Sequence, residues 1–202
     1  MNSAPIEHSA APLDAACELY ERGLILQAYR ASESLGPLRT WRGAGAQVLG
    51  GRLASHLGAP RLANWLMRNA WRSDPHHAEA QYFYGYSLFR LRGPYPAWRW
   101  MQQRLELPAD AEPETTSSWY ALLAEVAGTF RDFEVAERYL QDADAAMPDS
   151  PWVLVCRAHI QEMEDRYDES LSTARRALDL RSWYRPAVQS IAHLLSLLDR
   201  DA

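Results

Sequence analysis

Few residues of this 202-residue chain have both the type and the spacing that chemistry demands. His159 and Glu162 lie three apart, on one face of a helix, a spacing that occurs in helix-borne metal sites. A metal centre would need a second such pair, and none follows, so the pair reads as a polar cluster. His76-His77 follows Asp74-Pro75 with no Cys or third His beside it, and reads as part of a solvated turn. Cys17 and Cys156 stand 139 residues apart without clustered histidines, too little for a zinc site; both read as small buried residues. Gly45 and Gly50 have the spacing of a phosphate-binding loop. Gly51-Arg52 stands where such a loop needs Lys and then Ser or Thr, and no strand precedes it. No nucleophile is spaced against a base. The expectation is a non-enzyme with no catalytic residue, no metal and no cofactor.

Recognition is better provided for. Residues 78–101 read AEAQYFYGYSLFRLRGPYPAWRWM. Tyr84 and Leu88 flank Gly85 on the face that fits a core. Tyr82, Tyr86, Phe89 and Arg90 fall at i, i+4, i+7 and i+8, one stripe on a different face. Tyr and Arg are residues suited to anchoring a partner.

The elements that carry these residues are helical. The chain is 48% hydrophobic and 23% charged, enough for a sizeable core and far from the disordered class. No run approaches the roughly 18–20 apolar residues of a membrane span. The first residues, MNSAPIEHSAAPLDAA, have neither a basic start nor an apolar stretch, so no signal peptide is read and the expected location is cytoplasmic. All 21 basic residues are Arg. Residues 1–104 hold 12 Arg against 7 acids (net +5), and residues 105–202 hold 9 against 19 (net −10), so the charge is two-ended.

Residues 117–150 set the pattern: Trp119 and Tyr120, then Ala124, then Phe133 after Arg131-Asp132, then Ala136 and Ala143, closed by Pro148. The pattern returns at steps of 34 to 39 residues, in units near 9–43, 44–77, 78–116, 117–150, 151–184 and a half unit at 185–202. Position eight is then Ala16, Gly51, Gly85, Ala124, Ala158 and Ala192, and position twenty is Ala28, Ala63, Ala97, Ala136 and Ser170. All eleven are Ala, Gly or Ser, which make up only 56 of the 202 residues. Paired helices cross nearest at one point on each, and a larger side chain there drives them apart. Breakers at Gly36-Pro37, Gly58, Asp74-Pro75 and Gly93-Pro94 predict helix pairs over 13–22 and 24–35, 40–56 and 60–72, and 76–91 and 95–105. Residues 105–116 are expected as a loop. A fourth pair follows, then a fifth over 152–165 and 167–180, and a last helix over 185–199. Residues 1–10 are expected to be flexible and 11–202 to form a single domain.

Period, aromatic, small and proline positions together resemble the tetratricopeptide repeat (TPR). The resemblance covers residues 9–199. It implies an all-α, right-handed superhelical solenoid of antiparallel helix pairs with about 11 helices. It further places Arg52, His56, Glu125, Trp152, His159, Glu162, Gln189 and His193 on the concave surface, beside Tyr82, Tyr86, Phe89 and Arg90. The implied function is a scaffold that holds a peptide or protein segment in an aromatic, Arg-bearing groove.

The same residues fit two other functions. Residues 39–104 hold 10 Arg against Asp74 and Glu79, with Trp and Tyr interleaved, which suits single-stranded RNA; the acidic second half argues against nucleic acid. Residues 19–42 are similar to the TPR leaders of bacterial proteins that carry a cysteine peptidase domain further on, which would make the chain a recruitment module of a larger bacterial enzyme. The helix 185–199 has Leu194, Leu197 and Leu198 opposite its expected packing side, which predicts a further helix or a second copy against it.

Overall fold

In the computed structural model, residues 10–104 and 107–198 are described, and among them run eleven α-helices. Contacts cluster into two compact units, 1–87 and 88–202, with the boundary inside the fifth helix. The residues expected to be flexible, other than Ala10, and the end of the last expected helix at Asp199 lie outside the described residues.

The first unit holds α1 (Ala10–Glu21), α2 (Ile25–Ala31), α3 (Ala44–His56), α4 (Pro60–Ser73) and the start of α5 (Ala78–Arg92). α1 packs on α2 and α3 on α4. Leu35, Leu38, Trp41, Leu49, Leu53 and Leu66 are the large members of its core. The second helix of the first pair is shorter than 24–35: after Ala31 the chain tightens into a 3-10 turn at Glu33–Leu35, and another follows at Leu38–Thr40. α3 likewise starts at Ala44 and not at 40. Trp41 takes extended backbone there, donates its indole N–H to the Gly36 carbonyl (3.2 Å), and accepts on its own carbonyl from Gln47 Nε2 (3.1 Å). That buried anchor holds the chain out of the helix until Gly43, at φ 86°, lets it turn in.

The second unit holds α6 (Pro94–Met101), α7 (Pro113–Thr129), α8 (Phe133–Ala146), α9 (Pro151–Met163), α10 (Tyr167–Leu180) and α11 (Arg185–Leu197), with the last residues of α5. α7 packs on α8, α9 on α10, α10 on α11, and α7 on α9. α6 ends at Met101, short of 105. α7 starts four residues ahead of Ser117, because Pro113 sits in the first turn, where its missing N–H leaves no partner unsatisfied. Ser150 caps α9 at the Val153 N–H, with Pro151 beside it.

The small residues do what close approach requires. Of the eleven, ten are buried. A Cβ on Gly51 would stand 2.8 Å from the Met67 methyl. Ser170 donates its hydroxyl to the Ala158 carbonyl at 2.7 Å, tying position twenty of one helix to position eight of its partner. The exception is Ala192, which is exposed, since no second helix follows α11 in the described residues.

Four of the turns inside the pairs share one device. Gly23, Gly58, Arg131 and Asp165 all stand at position fifteen, with φ of 77°, 79°, 62° and 63°. The N–H after each reaches back five residues: Leu24 to Leu19, Ala59 to Ala54, Asp132 to Ala127, and Arg166 to Gln161. These are Schellman closures, which satisfy the last carbonyls of the first helix and need a left-handed residue. Gly58 and Arg131-Asp132 are legible as turns in the sequence, and Asp165 is not.

α11 corrects one expectation. Its buried face is Ala187, Ser190 and Leu194, with Ile191, Leu195 and Leu198 partly covered, while Val188 and Leu197 are exposed. Leu194 packs with Ala158, Leu171 and Ala174 of the fifth pair and does not face away from it. The expected side was rotated because α11 meets both α9 and α10.

Candidate functional site

The first helices of successive repeats carry the candidate residues in one register. Position nine is Cys17, Arg52, Tyr86, Glu125, His159 and His193. The two units are taken separately.

In the first unit, Arg52 on α3 is half-buried, with its guanidinium 4.4 Å from the centre of the Tyr20 ring and 4.8 Å from that of Phe83. Glu79 stands 4.0 Å away. His56 meets the edge of Tyr20, with ring centres 5.6 Å apart. Burial raises the Tyr20 phenol above its ordinary pKa, against the opposing charge of Arg52. Tyr82 and Tyr86 follow on α5, with centres 6.2 Å apart. Tyr82 is corrected: expected on an open face, it is only 8% exposed, because its ring lies 4.8 Å from Phe83. Tyr86 is half-buried.

In the second unit, Phe89 is half-buried and Arg90 exposed at the end of α5. α7, α9 and α11 bring Glu125, His159, Glu162 and His193 into two pairs. Glu125 Oε1 stands 3.1 Å from His159 Nδ1, and Glu162 Oε1 stands 2.9 Å from His193 Nε2. Glu125 is itself buried, so it holds His159 more than it offers a surface. Gln189 is exposed, and Trp152 is half-buried against the core. Burial first, then the charge and hydrogen bond of Glu125, push the Cys156 thiol well above its ordinary pKa, so it stays protonated and unreactive.

Burial opposes a charge on His159, but the hydrogen bond and charge of Glu125, with the charge of Glu162, outweigh it. The imidazole is lifted above its ordinary 6.5 despite the opposing charge of Arg90. A raised folded-state value stabilises the fold fully below about pH 6.5 and loses that contribution as pH rises through the higher value. In an NMR titration, the His159 midpoint is expected above 6.5 in the parent. In Glu125→Gln it is expected below 6.5, since burial remains. An unmoved midpoint in that variant would remove Glu125 as the cause.

Other sequence candidates settle differently. His77 caps α5, its Nδ1 accepting from the Ala80 N–H at 3.3 Å. Gly45, Gly50 and Gly51 lie inside α3, with no loop to cradle a phosphate. Among the described residues, no three His, Cys, Asp or Glu side chains gather to hold a metal ion. Tyr20 was missed, although it stands at the same position twelve as Phe89 and Glu162.

The repeated antiparallel pair defines the chain as a helical-repeat protein. Among solved structures it is similar to a TPR protein of Thermus thermophilus (18% identity, TM-score 0.59, covering 78% of this chain and 84% of that one). It is also similar to PilF of Pseudomonas aeruginosa (18%, TM-score 0.60, 95% and 84%) and to a tetratricopeptide repeat protein of Parabacteroides merdae (15%, TM-score 0.65, 98% and 75%). The fold is the all-α TPR solenoid. No family model matches the sequence, and no curated protein does. No described helix is long and apolar enough to cross a membrane.

Proposed function

We propose that the chain is a non-enzymatic scaffold that holds a peptide or protein segment on the first-helix faces of its repeats. The observation that carries this reading is the register: position nine of five successive first helices holds Arg52, Tyr86, Glu125, His159 and His193. Each repeat of a solenoid contacts only its neighbours, so the register of each unit taken by itself, Arg52 and Tyr86 in the first and His159 and His193 in the second, suits an extended ligand. Arg52 held between two rings and His159 held by a buried carboxylate are already oriented, which lowers the ordering cost of binding.

A random dodecapeptide library displayed on phage and selected on the protein tests it. Selected peptides should bind the parent and lose binding in the Tyr86→Ala/Phe89→Ala double variant, with the far-UV helical signal retained. Loss of helicity would place both rings in the core. Binding of single-stranded RNA that falls steeply with salt, with no peptide selected, would replace the peptide by a nucleic acid.

A further inference from the structure

A cavity lies off the position-nine register of the first helices. α6, α7 and α8 enclose an open cavity of about 360 Å3, at the lower end of the roughly 300–1,000 Å3 typical of ligand pockets. Tyr95, Trp98, Phe130 and Tyr139 line it, over a floor that includes Met101, Leu123 and Val126. Three of the rings are unusually open for their size: Tyr95 is 57% exposed, Trp98 41% and Phe130 46%. They are also ordered against one another. Tyr95 and Trp98 stack at 6.0 Å with planes 27° apart, and Trp98 meets Phe130 edge-on at 6.3 Å. Among the described residues of the lining, the one carboxylate is Asp132, placed by its cap on the Val135 N–H, and there is no Arg or His. The neighbouring Arg131 is directed elsewhere, over the ring of Phe133 at 5.3 Å.

We propose that this cavity takes the cationic side chain of an arginine or lysine, presented by a segment of a partner protein between apolar residues. Ring faces carry negative potential and attract a cation placed over them, and a single carboxylate at the rim completes the charge match. The net −10 of residues 105–202 draws a basic segment in the same direction. The apolar floor receives the residues beside the cation, which explains a volume larger than one charged head requires.

The probe is acetyl-Leu-Arg-Leu-amide, with its citrulline counterpart as the neutral isostere, titrated against the full chain by NMR. The arginine peptide should shift resonances of Tyr95, Trp98, Phe130 and Asp132, and the citrulline peptide should bind roughly ten-fold more weakly. Asp132→Asn should weaken binding by a similar factor with helicity intact, because Asn also caps a helix. Trp98→Leu should abolish it. The Tyr86→Ala/Phe89→Ala variant should bind the arginine peptide as the parent does, so failure here is separate from failure of the first-helix site. Equal binding of the two peptides, shifts elsewhere on the chain, no binding at millimolar peptide, or self-association that Trp98→Leu removes would each overturn the proposal.

Discussion

Replacing Ala136 with leucine is expected to lower the stability of the second unit by about 1–3 kcal/mol or more. Ala136 is fully enclosed, among Ala121, Ala124, Leu140, Val153 and Cys156. Its cluster is buried, so added methylenes must force α7 and α8 apart or drive a rotamer off its minimum. Ala192→Leu supplies the contrast. It occupies the same small-residue register, at position eight, yet is exposed, so its effect should stay within roughly 0.5 kcal/mol. Urea unfolding followed by circular dichroism measures both. Equal curves for Ala136→Leu and the parent would dissolve the repeat register.

Trp119→Ala should cost more, about 3–5 kcal/mol. Trp119 on α7 is completely enclosed, and its ring meets Trp100 of α6 edge-to-face at 6.1 Å. Trp100 is held in turn by the Arg104 guanidinium over its ring at 5.1 Å. α6 is the shortest helix of the second unit, and this pair of indoles is one of its ties to α7. The variant should therefore lose amide protection in α6 before it does so in α8 or α9, as hydrogen exchange would record. Trp119→Phe, which keeps an aromatic edge, should lose less. Uniform loss of protection across the unit would mean that the indoles do not fasten α6.

The period was legible because close helix approach leaves so little choice of side chain: Ala124, Ala136 and Ala158 announce where backbones cross. Chemistry-bearing pairs were half legible. His159 and Glu162 stood out, but their partners Glu125 and His193 lie 34 and 31 residues away, and only the repeat brings them within reach. Tyr82 looked like a surface aromatic because a stripe on one helix says nothing of Phe83 tilting onto it. The Tyr95, Trp98 and Phe130 cavity is not legible in the sequence, since Phe130 comes to the α6 rings from beyond the end of α7 and Asp132 reads only as a turn residue. The early start of α7 was masked by the turn-forming residues ahead of Pro113.

The left-handed closures at Gly23, Gly58, Arg131 and Asp165 have a consequence for how such a chain can change. Each closes its turn with a fixed five-residue reach and no slack. One inserted residue there would advance the following helix by about 100° of rotation and carry its small residue off the crossing point. The repeats therefore behave like a ratchet with a set pitch: side chains on the faces are free to drift, but the count between them is not. Length can vary only where no such closure operates, and the 39-residue step, with its connection between α6 and α7, is where this chain has spent its extra residues.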